Sequence, residues 1–282
     1  MWPTQFDYAR ASSVDEALEQ INSDDAKFLA GGHSLLPVMK LRLAAPEKLV
    51  DIGRLEALKG ISANGSLSIG ATSTHAEIAA SSDVQSMCSA LASAAGQIGD
   101  QQVRNFGTLG GNIAHADPAS DPPTVLLAAD ATIHIKSSSG ERSVGAADFF
   151  VDLFATDLGE DELITSISIP DHSGHKMAYA KFAHPASRYA IVGICVALEM
   201  DGDSCKSAKV AIGGATVKAL RSSGAEAALS GSSLDDAAIK AAADALKSDI
   251  EEYLTGDVSY PAEYRAQMAG VYLKRAIDSA LG

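Results

Sequence analysis

Arg104-Asn105-Phe106-Gly107-Thr108-Leu109-Gly110-Gly111-Asn112-Ile113-Ala114-His115-Ala116-Asp117-Pro118-Ala119-Ser120-Asp121 is the stretch on which the reading of this chain turns. It is too polar and too rich in glycine for a core strand, yet apolar segments flank it on both sides. Gly110 and Gly111 carry no Cβ, so the backbone there is free to turn through positive φ and to approach a ligand closely. Successive N–H groups in such a turn form a concave donor site for anions, phosphates especially. Thr108, Asn112, Ser120 and Asp121 add polar side chains around it. A second run, Ala30-Gly31-Gly32-His33-Ser34, follows a short apolar segment and has the same character. Two glycine cradles in one chain point to one long ligand with a pyrophosphate in its middle.

Neither run is a P-loop, because no Gly-Lys-Ser/Thr follows, and neither is a Gly-x-Gly-x-x-Gly opening a βαβ unit. By composition and spacing they are two candidate anion-binding turns. Outward from them the chain alternates short strands and helices. Ser13 and Glu16 form a capping-box pair for a helix over residues 12–22, with Ala17, Leu18 and Ile21 on its apolar face. Strands are expected at 27–30 and 49–52, and Asn64-Gly65 marks a hairpin before the alternation of residues 67–71. Ser73-Thr74 caps a short helix to Ala80, and Asp83 opens a longer one to about Ile98. Pro122-Pro123 suits the first turn of a helix through Leu127. Strands follow at 131–136 and 163–169.

Asp171-His172-Ser173-Gly174-His175 reads as a connector, its histidines as plain surface. Beyond it the pattern changes: strands at 177–182, 191–199 and 208–213, the latter two joined at Asp201-Gly202-Asp203, then helices at 225–229, 234–250 and 261–281. In the last helix Tyr264, Met268, Val271 and Tyr272 fall at helical spacing. A small antiparallel sheet followed by helices is an α+β arrangement. The divisions are residues 1–59, 60–171 and 172–282.

The chain has 282 residues, a formal net charge of −14, 46% hydrophobic and 21% charged residues. That balance is ordinary for a folded globular protein and opposes nucleic-acid binding, which needs clustered Lys and Arg. The three cysteines, Cys88, Cys195 and Cys205, form no Cys-x-x-Cys, so no protein-borne iron–sulfur or zinc site is expected. No signal peptide or membrane-spanning run is visible, which points to the cytoplasm.

The phrase from Ala30 to Arg42, the phrase from Thr108 to Ala114 with Asp117 to Asp121, and His184-Pro185-Ala186-Ser187-Arg188-Tyr189-Ala190-Ile191-Val192-Gly193 occur in an order and spacing that extend a resemblance over essentially the whole chain. Together they resemble the medium, FAD-binding subunits of the molybdenum hydroxylases, the family of the xanthine dehydrogenase and carbon monoxide dehydrogenase medium subunits. The family usually has Pro where this chain has Ala11. The resemblance implies a vanillyl-alcohol-oxidase-type fold: two α+β subdomains that hold FAD, then a C-terminal domain of small antiparallel sheet and helices.

It implies that Ala30, Gly31, Gly32, His33 and Ser34 hold the pyrophosphate through backbone N–H groups, His33 among them through its main chain, and that Thr108, Gly110, Gly111 and Asn112 complete the cradle. Ser120 and Asp121 match positions that bond the ribityl and ribose side. Leu163 and Ile164 match apolar contacts near the flavin ring, Ile98 and Gly99 a backbone approach to the cofactor. Lys181 matches a basic residue whose charge stabilises reduced flavin, and Tyr189 an aromatic near the ring. Phe28, Leu29, Leu35, Gly107 and Ala114 complete the implied cofactor-binding set. No catalytic or metal-binding residue is implied. The implied role is electron transfer: a large molybdopterin subunit hydroxylates substrate, a small subunit carries two [2Fe–2S] clusters, and this chain passes electrons through FAD to an external acceptor, in a dimer of heterotrimers. The alternatives are a self-contained flavin oxidase or dehydrogenase, for which a C-terminal segment of about 110 residues is modest, and a cofactor-free scaffold, which the intact glycine pairs oppose.

Overall fold

The structure is a computed structural model that describes residues 2–22 and 25–282; Met1, within the run read above for a signal peptide, lies outside the described residues. The chain opens with β1 (Asp7–Arg10), α1 (Val14–Ile21), β2 (Ala26–Leu29), α2 (Leu35–Lys40) and β3 (Lys48–Asp51). The strands form a parallel sheet in the order β1-β3-β2. Ser13 caps α1 by accepting from the Glu16 N–H at 3.1 Å. The return arm of the expected capping box reaches one residue further back: the Glu16 carboxylate accepts from the Ser12 N–H at 2.8 Å. Ala17, Leu18 and Ile21 are buried against Val50, Ile52 and Leu58 in a small core of their own.

The second part starts with β4 (Ile61–Ala63) and β5 (Ser66–Gly70), a hairpin that turns through Gly65 at φ +75°. Six short helices follow: α3 (His75–Ala80), α4 (Ser82–Met87), α5 (Ser89–Gln97), α6 (Gln101–Phe106), α7 (Leu109–His115) and α8 (Asp121–Ala128). Then come β6 (Thr132–Ser137), β7 (Gly140–Gly145), α9 (Ala146–Phe149), β8 (Phe150–Asp152), β9 (Ala155–Thr156) and β10 (Leu163–Pro170). The sheet order is β4-β5-β10-β6-β7, with β10 at its centre. The helix expected over residues 83–98 is broken at Cys88, whose φ and ψ are −151° and 68°. The bend has a packing cause. It lets the Ser89 hydroxyl donate to the Met177 carbonyl at 3.1 Å and sets the Cys88 thiol 3.8 Å from the Met177 sulfur.

The last part is the antiparallel sheet β11 (Lys176–Ala183), β12 (Ala190–Asp201), β13 (Ser204–Gly213) and β14 (Leu220–Arg221), in that order, with α10 (Ser223–Leu229), α11 (Asp236–Ile250) and α12 (Ala262–Leu281). β12 is buried from Ala190 to Leu198 because both its faces are covered. Cys195 and Ala197 join the central core, while Val192, Ile194, Val196 and Leu198 join the core under the helices. On α12 the buried stripe is mostly small: Ala266, Ala269, Leu273, Ala276, Ile277 and Ala280, with Tyr272. Alanines let the helix lie close to its neighbours, and Tyr264 and Val271, noted for their helical spacing, stay exposed at its margin. The connector also departs from expectation. His172 is buried: its N–H bonds the Met87 carbonyl at 3.0 Å and its Nε2 lies 3.0 Å from the Ala129 carbonyl, which draws the loop inward. Among the described residues no helix is long and apolar enough to cross a membrane.

Candidate functional site: a cleft between glycine loops

The first glycine run sits where β2 ends and α2 begins. Gly32 has φ +73°, a conformation that glycine adopts without strain. Among the described residues, the N–H groups of Gly31, Gly32, His33 and Ser34 have no acceptor. Four consecutive backbone donors are therefore available to a ligand. Such a row of donors is what an anion cradle needs.

The second run is built differently from its expected turn. Gly110 and Gly111 lie in the first turn of α7, capped by the Thr108 hydroxyl, and neither has positive φ. Their N–H groups are engaged by the protein: Gly110 bonds the Ala71 carbonyl at 2.8 Å and Gly111 the Thr108 hydroxyl at 3.2 Å. Here glycine is required by close packing. A Cβ on Gly110 would lie 2.6 Å from the Ala71 Cβ and 2.8 Å from its carbonyl oxygen. The two runs also meet directly, since a Cβ on Gly31 would fall inside the Phe106 carbonyl. The His33 ring bonds the Gly31 carbonyl at 3.0 Å and stacks on Phe106, with centroids 5.5 Å apart and planes 13° apart. One loop supplies donors; the other is a wall close enough for a ligand to touch both.

Between them runs a cleft of about 480 Å³, within the roughly 300–1,000 Å³ typical of ligand sites. The structure brings every residue of the implied cofactor-binding set to this cleft, from Phe28–Leu35 through Ile98 and Gly99 to Leu163, Ile164, Lys181 and Tyr189. Several also carry partners within the chain. Ser120 donates its hydroxyl to the Asn112 side-chain oxygen at 2.7 Å. Lys181 is no free cation: its ammonium lies 2.7 Å from the Asp121 carboxylate, with side chains 2% and 5% exposed. The other Asp121 oxygen accepts from the Tyr179 hydroxyl at 2.6 Å. Burial pushes the Asp121 carboxyl above its ordinary range, and Lys181 and Tyr179 pull it back. Burial, then the Asp121 charge, raises the Tyr179 phenol well above its usual value. Tyr189 is half-exposed, its phenol raised by partial burial and by Asp117 and Asp121. Asp117 closes its own loop, accepting from the Ala119 N–H at 2.9 Å.

Sequence reasoning missed Thr72, His75, Val103 and Arg188, which also line the cleft. Thr72 and His75 flank a cap signal, Ser73-Thr74, that was read only for its helix. Arg188 has φ +62° in a loop without glycine, a conformation that composition does not announce.

A glycine turn with free donors, a close-packed second wall and an ion pair buried at the cleft define a protein that binds an anionic, dinucleotide-sized cofactor. Residues 4–172 match the family model described as the FAD binding domain in molybdopterin dehydrogenase, and residues 177–280 the CO dehydrogenase flavoprotein C-terminal domain. The glyceraldehyde dehydrogenase medium chain of Sulfolobus acidocaldarius is 41% identical, over 94% of this chain and 92% of that one. The carbon monoxide dehydrogenase medium chain of Hydrogenophaga pseudoflava is 40% identical, over 99% of this chain and 98% of that one. A solved structure of carbon monoxide dehydrogenase from Hydrogenophaga pseudoflava, lacking the Mo-pyranopterin moiety of the molybdenum cofactor, superposes with a TM-score of 0.95 at 38% identity, covering 100% of this chain and 99% of that one. The chain belongs to the FAD-binding medium-subunit family of the molybdenum hydroxylases. It is an oxidoreductase subunit, and its cofactor is FAD.

Proposed function

We propose that this chain is the electron-transfer subunit of a heterotrimeric molybdenum hydroxylase, passing electrons from the [2Fe–2S] clusters of a small subunit to an external acceptor. The observation that carries the proposal is the row of free donors at Gly31–Ser34 inside the cleft. The relatives support the division of labour. They are named for glyceraldehyde, carbon monoxide and caffeine, yet all resemble this one chain. Likeness across such different names fits a chain whose task is common to all of them, with the substrate site on a different subunit. The large subunit in this reading carries molybdopterin, the assembly is a dimer of heterotrimers, and it works in the cytoplasm.

FAD, when bound, supplies the exchange between one-electron donors and two-electron acceptors. The chain's residues hold and insulate it. Gly31, Gly32, His33 and Ser34 would bind the diphosphate through backbone N–H groups. Thr108, Gly110, Gly111 and Asn112 would form the opposing wall. Leu163 and Ile164, both buried, would keep water from the ring. Asp121 and Lys181 place a fixed dipole in the cleft, and fixed dipoles cost no reorganisation when charge changes beside them. Tyr189 would pack at the half-exposed margin. The test is an absorption spectrum of the protein purified from its native host, with cofactor extraction and identification of copurifying chains. FAD together with iron–sulfur and molybdenum subunits supports the reading. FAD on a chain without partners, turning over an organic donor by itself, refutes it.

A further inference from the structure

The cleft holds a buried imidazole beside the two glycine runs. His75 is 3% exposed, and its Nδ1 is shielded from solvent without a hydrogen-bond partner. Shielding leaves Nδ1 out of a ligand's reach and leaves the other ring nitrogen, Nε2, as the one that can meet a ligand. The backbone around it is firmly fixed. The His75 N–H bonds the Gly107 carbonyl at 3.0 Å, and Thr74 bridges to Thr108. The ring lies against Gly107, where an added Cβ would stand 2.9 Å from Cδ2 and 3.2 Å from Nε2. Gly107 follows Phe106, the residue whose carbonyl touches Gly31. The imidazole therefore lines the cleft at the junction of the two glycine runs.

We propose that His75 is a FAD-binding residue whose imidazole donates a hydrogen bond to the diphosphate bridge of the cofactor. The loop at Gly31–Ser34 supplies N–H donors from one side. The second run cannot do the same from the other, because the N–H groups of Gly110 and Gly111 are already engaged. At the junction of the two walls the His75 Nε2 has no hydrogen-bond partner among the described residues and is not shielded as Nδ1 is, so it is the ring nitrogen that a ligand can reach. Burial, then the neighbouring His33, holds its pKa down at about 4, so it meets the ligand as a neutral imidazole with one N–H. A neutral donor suits a site that must accept a diphosphate without storing a buried charge when the cofactor is absent.

The inference rests on FAD occupying this cleft, and titration of the wild-type apoprotein with FAD tests that separately. Wild-type protein that takes up no FAD overturns the cleft assignment, and His75 with it. Given wild-type binding, His75→Phe should weaken FAD about ten- to a hundredfold, the range for losing one hydrogen bond to a charged group. Its apoprotein should melt no lower than wild type, because an unpaired polar group has been removed. His75→Asn and His75→Gln place an amide nitrogen near the positions of Nδ1 and Nε2, and the Gln variant should recover most of the affinity. ADP, which carries the diphosphate without the flavin, should lose affinity for His75→Phe by a similar factor. Unchanged FAD binding by folded His75→Phe overturns the proposal. So do amide variants both as weak as Phe, which would mean shape alone matters, and an ADP affinity that does not change.

Discussion

Acid should destabilise this protein partly through His75, and the size of the effect follows from its burial. The imidazole has a pKa near 4 in the folded chain, chiefly from burial, against 6.5 in the unfolded one. Between those values the unfolded state binds the proton and the folded state does not, so stability falls as pH falls. The contribution is fully present above pH 6.5 and is lost progressively toward pH 4. From pH 7.5 to 5.5 the expected loss is about 1.3 kcal/mol. Most of that comes from protonating the unfolded chain, so it hardly depends on how far below 5 the folded value lies. The window also stays above the pI of about 4.8, where a chain this acidic would precipitate. The assay is urea unfolding of FAD-free protein at both pH values, for wild type and His75→Phe. Other groups that titrate in this range cancel in the comparison. Wild type should lose about 1.3 kcal/mol more than the variant. Parallel losses within a few tenths of a kcal/mol would refute the buried, neutral assignment.

Gly31→Ala should abolish FAD retention and cost about 1–3 kcal/mol or more, because its Cβ meets the Phe106 backbone and not a movable side chain. Gly111→Ala should keep FAD and cost only about 0.5–2 kcal/mol, since its Cβ meets the Thr108 hydroxyl at 2.8 Å and displaces a cap; equal FAD content in the two variants would contradict the division of roles between the loops. Lys181→Met leaves the Asp121 carboxylate buried and uncompensated, so thermal unfolding should show about 3–5 kcal/mol of lost stability. Adding Asp121→Leu should restore much of it, and a double variant no better than the single would argue against the ion pair. In FAD-loaded Lys181→Met the flavin potential should fall, as the remaining negative charge disfavours reduction; redox titration reads this directly.

The order of strands and helices was legible where burial is one-sided. Leu67 and Ile69 on β5, and Ile167 and Ile169 on β10, alternate because one face of the sheet is covered and the other faces water. β1 left no such signal: Asp7–Arg10 is four residues at a sheet edge and mostly exposed, so nothing selects an apolar period there. The Cys88 break was invisible for the opposite reason. Val84, Met87, Cys88 and Leu91 are all buried, and a helix-period pattern survives a bend that long-range contacts with Met177 impose. The exposure of Tyr264 and Val271 follows the same logic, since an alanine stripe looks weakly apolar in sequence but wins the buried face by size.

The site shows a sharper limit. Two Gly-Gly pairs read alike, because absence of a Cβ permits positive φ and close packing equally. Only the fold tells them apart. At Gly32 the requirement is conformational, φ +73°, and the neighbouring donors are left open. At Gly110 the requirement is steric, a contact with Ala71, and the donor is engaged. The same ambiguity hid Lys181. A lysine in a strand carries a readable charge but not the position of its counter-ion, and Asp121 stands 60 residues earlier in the sequence. Pairing changes what the lysine does: a lone cation would pull the flavin potential upward, whereas a buried pair gives the cleft a dipole whose effect depends on its orientation to the ring. The cleft's electrostatics are therefore set by long-range pairing, and its shape by glycine.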